Sequence, residues 1–244
     1  KEAEDLKNWY KQLEGEDHVK TVQGHGTDQM LDNPGVIPGR DPAHCTGQPI
    51  VDSAGNPWGY GISKKYEVAE FEHGVTQVTI KVHLDGSTTG ATPEQLAKMR
   101  ENVIKGVDQQ YNNQHKVTNS TGGENKLHVE VVFVDTPADS HLHVKAHPGD
   151  GDANQSNWYA DGSAVTHAHE LGHQMGFKDE YQDPNAVHRK DATSAGVKHD
   201  QSLMGNYWQK NPDGTPVLDA NGKPVPDPRT GVKQRHLDEL AADF

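Results

Sequence analysis

The sequence predicts an α+β fold, and three stretches carry that prediction. In residues 75–84, Val78, Ile80, Val82 and Leu84 alternate with Thr79, Lys81 and His83, the period of two that marks a half-buried strand. Residues 127–135 read LHVEVVFVD and are apolar enough on both faces for an interior strand. Between them Thr92, Pro93 and Gln95 form a capping-box start, and Leu96, Met99, Val103, Ile104, Val107 and Tyr111 fall on one face of the long helix that follows.

The other elements fall around these in chain order. Leu6, Trp9, Tyr10 and Leu13 have helical spacing, so residues 2–13 are expected to form an amphipathic helix. Residues 15–64 are dense in Gly, Pro, Asp and His without a sustained period, which predicts a loop-rich wrap. Residues 66–72 are a hairpin partner for the strand at 75–84. Residues 141–147 alternate Leu142, Val144 and Ala146 with histidine and lysine, the pattern of an edge strand. Ser163 can cap a helix that runs until Gly176, a residue suited to the left-handed turn that ends helices. GQPIVDSAGNP at 47–57 and GTPVLDANGKP at 214–224 share one pattern, and each predicts a small β-hairpin. The division expected is an N-terminal helix and loop-rich extension over 1–64, followed by one catalytic domain over 65–244.

Composition narrows the functions. The chain has 244 residues, 32% of them hydrophobic, and a formal net charge of −13. That charge argues against nucleic acid as a partner, because phosphate binding needs clustered Lys and Arg. No apolar run is long enough to span a bilayer. Cys45 is the single cysteine, so no internal disulfide can form. The opening KEAEDLKNWY has neither an initiator Met nor a signal-peptide core, which fits a processed form or an excised domain.

Chemistry concentrates in the helix at 163–176. His169, Glu170 and His173 form HExxH, and an interval of four puts both imidazoles on one helix face, within reach of a single ion. Glu170 lies beside them as general base for an attacking water. A catalytic zinc wants a third protein ligand and one open position. Gly176 can turn the chain so that Asp179 swings back to the ion, with Glu180, His188 and His199 as alternatives in that order.

The string HExxHxxGxxD, followed by the SLMG turn at 202–205, resembles the metzincin clan of zinc peptidases. That resemblance implies a zincin-like twisted mixed sheet with an antiparallel edge strand, a long helix, an active-site helix and a C-terminal helix. It further implies Zn2+ as cofactor, Met204 beneath the metal, and protein or peptide substrates laid along the edge strand at 141–147. Tyr207 stands three residues after Met204, near the place of a tyrosine that supports the oxyanion in some members, whose spacing is two. The phrases DEY, SLMGN and QRHLDEL resemble metallopeptidase domains of Rhs and spike-type bacterial toxins. This second likeness implies a secreted or delivered protein, with a cognate inhibitor or immunity protein as a partner.

Other residues have plainer readings. His167 points about 200° round the helix from His169, which predicts a surface or supporting place. His141, His143 and His147 are expected to be solvated strand positions, with a second metal site as the alternative. Cys45 matches no inhibitory propeptide pattern. Two further functions stay open: a metal-holding but catalytically silent binding module, and a zinc amidase acting on cell-wall peptide.

Overall fold

The computed structural model describes residues 19–30, 49–51, 57–112, 114–184 and 189–244. The expected helix at 2–13, Cys45 and His188 lie outside the described residues. Eight strands form one curled, mixed sheet: β1 (Val19–Met30), β2 (Pro49–Val51), β3 (Pro57–Phe71), β4 (Val75–Asp85), β5 (Lys116–Thr118), β6 (Glu124–Phe133), β7 (Leu142–His147) and β8 (Asn157–Tyr159). Three helices accompany it among the described residues: α1 (Pro93–Gln110), α2 (Ala164–Gln174) and α3 (Gln234–Ala241).

The predicted hairpin is β3 and β4, antiparallel and joined by a tight turn in which Gly74 takes φ +84°. β6 runs parallel to β4 on its other side, and α1 makes the crossover between them. Thr92 caps α1 with both halves of its capping box formed. Met99, Val103, Val107 and Tyr111 are buried as the spacing predicts, while Ile104 stays 48% exposed at the margin of that face.

The core lies between one face of the sheet and helices α1 and α2. Val78, Ile80 and Val82 of β4 pack there with Val165, Ala168 and Leu171 of α2. The two helices come close together at Gly106, where a side chain would run into the carbonyl of Ala164. That contact brings α2 onto the sheet, and α2 carries HExxH.

Two expectations are corrected. Residues 15–64 are not wholly loop, because β1 and β2 pair antiparallel with the long β3, which itself crosses residue 64. Backbone pairing holds these Gly-rich strands without the alternation that sequence patterns depend on. The 141–147 segment is a strand, but it is not antiparallel, and from Lys145 onward it is not an open edge. β7 runs parallel to β4 through Val82–Leu142 to Asp85–Lys145, and β8 runs parallel on its other side from Lys145–Asn157 to His147–Tyr159. Its place is made because β3 leaves β4 after Thr79, freeing the carbonyl of Lys81 to accept from the His141 amide at 2.8 Å. A substrate strand cannot add along the stretch that β8 already covers.

The two GxP segments match at the positions that can be compared. Val51 pairs with Pro57 and Leu218 with Pro224, equivalent positions of the shared sequence pattern.

Candidate metal centre

Helix α2 begins at Ser163, whose hydroxyl accepts from the Thr166 amide at 3.2 Å. It ends as the sequence predicts: Gly176 takes φ +105°, and the Phe177 amide reaches back to the Gly172 carbonyl at 2.9 Å. The reversal carries the chain three residues further to Asp179 and under the helix face that bears both histidines.

The structure brings His169, His173 and Asp179 together. Asp179 Oδ1 lies 3.0 Å from His169 Nε2 and 3.2 Å from His173 Nε2, and all three side chains are buried. Ligand atoms of His169, Glu170 and His173 also fall within 4.8 Å of one another. Each imidazole is turned by its other nitrogen: His169 Nδ1 faces the Leu203 carbonyl at 2.9 Å, and His173 Nδ1 faces the Phe177 carbonyl at 2.7 Å. A carbonyl can only accept, so both Nδ1 atoms carry the proton and both Nε2 lone pairs point inward.

Two lone pairs and a carboxylate oxygen therefore converge in a buried space, an arrangement that can hold a cation. Tetrahedral zinc with bonds of 2.0–2.2 Å separates its ligand atoms by roughly 3.4 Å. The observed 3.0 and 3.2 Å fit that spacing after a slight opening.

The surroundings of Asp179 explain why Oδ1 is the atom offered. Its other oxygen, Oδ2, accepts from the Tyr181 hydroxyl at 3.1 Å and faces the Arg189 guanidinium at 3.6 Å. Arg189 is buried, sits 4.7 Å over the Tyr181 ring and donates to the Tyr181 carbonyl at 2.6 Å. Burial alone would raise the Asp179 pKa, but the facing imidazoles of His173 and His169 hold it well below the usual carboxylate range. Burial lowers His169, and Asp179 with Glu170 more than offsets it, so that its pKa is raised.

Glu170 is buried beside the two histidines, and its Oε2 has no hydrogen-bond partner among the described residues. Burial raises its pKa against the opposing pull of the imidazoles. With His169 it lines a cleft of about 1020 Å³, whose walls include Asp152, Tyr159, Thr166, Tyr181 and Tyr207. Tyr207 packs its ring 5.5 Å from that of His169, and its hydroxyl lies 3.4 Å from Thr166 Oγ1. Burial raises its pKa.

The alternative third ligands are placed elsewhere. Glu180 turns away into a two-pronged ion pair with Arg235 of α3, at 2.5 and 2.6 Å, with His236 at 3.3 Å. Burial opposes ionisation there, but Arg235 prevails and holds its pKa down to about 2. His199 is exposed and bonds the Ala192 carbonyl. Met204 is fully buried under α2, with its sulfur pressed so close to Gly172 that a side chain there would meet it at 2.6 Å.

His167 departs from expectation. It is fully buried against Trp158, at 5.3 Å between rings, because the helix face away from the cleft abuts β8. Burial pushes its pKa down to about 4. Arg189 is the residue that sequence reasoning missed, since a lone arginine in a polar loop carries no periodic or spacing signal.

No protein-family model and no curated protein matches the chain. Among solved structures, that of myroilysin aligns with 67% of this chain and 91% of its own length, at 16% identity and a TM-score of 0.31. At that score neither fold nor function carries over from it. The buried His-Glu-His cluster at HExxH spacing is a property of the chain itself.

Proposed function

We propose that the chain is a zinc-dependent endopeptidase of metzincin type, with His169, His173 and Asp179 as ligands and Glu170 as general base. One observation carries this reading: the inward Nε2 lone pairs of both histidines meet Asp179 Oδ1 at 3.0 and 3.2 Å, on the wall of an open cleft shared with Glu170.

Bound there, zinc would act as a Lewis acid on a substrate carbonyl and bring the pKa of a water near 7. Glu170 does the proton work. Its raised pKa suits it to take a proton from the attacking water and return it to the leaving amine. Tyr207 keeps its hydroxyl protonated, so it can donate to the oxyanion from the cleft wall. Leu203 and Phe177 hold the imidazoles in the ligating tautomer through their carbonyls. A cleft of about 1020 Å³ suits an extended chain better than a small molecule. The setting proposed, a secreted or delivered bacterial effector, rests on the sequence resemblance alone.

The test is digestion of an unfolded protein mixture by zinc-loaded wild type and by Glu170→Ala, with zinc content measured in both. Cleavage that disappears in Glu170→Ala while zinc stays bound supports the reading. Equal inertness of two zinc-loaded proteins turns it toward the binding module or the cell-wall amidase, and failure of wild type to hold zinc removes it.

A further inference from the structure

On the face of the sheet turned away from α2, a second pair of histidines meets. β4 and β7 are parallel neighbours in which His83 stands directly opposite His143. Val82, Leu84, Val144 and Ala146 are buried in the core, so the alternation of the strands puts both histidines on the opposite, solvent side. Their Nδ1 atoms are 2.9 Å apart. The ring centroids are 5.0 Å apart and the planes differ by 19°. Two ring radii and the gap between nitrogens account for nearly all of that separation, so each Nδ1 points at the other. Asp85, two residues beyond His83, brings Oδ2 to 3.7 Å from His143 Nε2.

Two imidazole nitrogens facing each other can share one proton or one metal ion. We propose that His83 and His143 form a second cation site, selective for ions that favour imidazole: Zn2+, Ni2+ or Cu2+ rather than Mg2+ or Ca2+. Turning each ring by roughly 35° aims both lone pairs at one point and opens the nitrogens from 2.9 Å to the roughly 3.4 Å that tetrahedral bonds require. Water fills the remaining positions, since the side chains are solvent-accessible, with His143 at 46%. Asp85 Oδ2, 3.7 Å from His143 Nε2, is beyond hydrogen-bond reach but puts negative charge beside the pair, which favours a bound cation.

The position gives the site a structural effect. β7 is held to β4 over only four paired residues and then runs on into Asp150, Gly151, Asp152 and Ala153, which wall the cleft. An ion bridging His83 and His143 fastens that strand across the sheet. The site does not depend on the centre at α2.

Calorimetric titration of chelator-stripped protein with zinc chloride separates the two. Wild type is expected to take up two equivalents, His83→Gln and His143→Gln one each, and His169→Ala one. His83→Gln and His143→Gln proteins that take up as much zinc as wild type overturn the proposal. If wild type takes up one equivalent that His169→Ala keeps and His83→Gln loses, the second site stands and the centre at α2 falls. A readout without variants uses Ni2+ added after the first equivalent of zinc: proton spectra should broaden first at the His83 and His143 rings. First broadening at other histidines overturns it.

Discussion

Replacing Asp179 with asparagine exchanges one oxygen for nitrogen, and the neighbours decide which way the amide faces. Tyr181 and Arg189 both present hydrogens to the Oδ2 position. The amide oxygen must take that place, which turns the NH2 toward His169 Nε2 and His173 Nε2. There it donates to both lone pairs, so the metal-free fold is kept while the third ligand becomes a donor that repels a cation. Loss of a group that merely orients a ligand costs about 10–100-fold in metal affinity. Loss of the ligand itself should therefore exceed about 100-fold, or about 2.7 kcal/mol. Competition against a chromophoric chelator reads zinc affinity, and circular dichroism with thermal melting reads the fold. A folded Asp179→Asn that binds zinc as tightly as wild type would refute the ligand assignment.

Further outcomes follow from the same contacts. Arg189→Met should weaken zinc binding by about 10–100-fold with the ligands intact, with partial recovery in Arg189→Lys, measured by the same competition. Tyr207→Phe should lower kcat by about 10²-fold or more with KM little changed, as expected for a donor used only in the transition state; an unchanged kcat removes Tyr207 from the mechanism. His167 has its folded pKa depressed from 6.5 to about 4, so the unfolded chain binds the extra proton between those values. Its contribution to stability is complete above pH 6.5 and is lost as pH falls through 4, a span worth about 3 kcal/mol. His167→Leu should flatten the dependence of unfolding free energy on pH in that window, read by urea denaturation at several pH values.

The helical parts were legible because their signals are local. An interval of four residues is enough to put His169 and His173 on one face, and Ser163, Thr92 and Gly176 mark helix ends by hydrogen bonds made within a turn. Asp179 could be reached only through the turn that Gly176 permits. Discrimination against Glu180 lay in a partner 55 residues away, Arg235, which no spacing reveals. The pattern at 47–57 had marked β2 as part of a hairpin, but β1 was missed because backbone pairing to β3, not side-chain alternation, holds it. The direction of β7 was missed because alternation reports which face is buried and is silent about polarity. His167 shows the limit of helical geometry: its angle was read correctly, but that side of the helix abuts β8 and Trp158 instead of solvent.

Leu203 and Phe177 steady the two imidazoles with their carbonyl oxygens, atoms common to all twenty amino acids. Genetic drift at these positions can change the side chain without deleting either hydrogen bond, so a survey of substitutions there would detect only packing. Insertions, deletions or a proline that shifts the main chain at either position would misdirect the ring that it supports. The centre should therefore tolerate side-chain replacement at these two supports and be brittle toward changes in loop length.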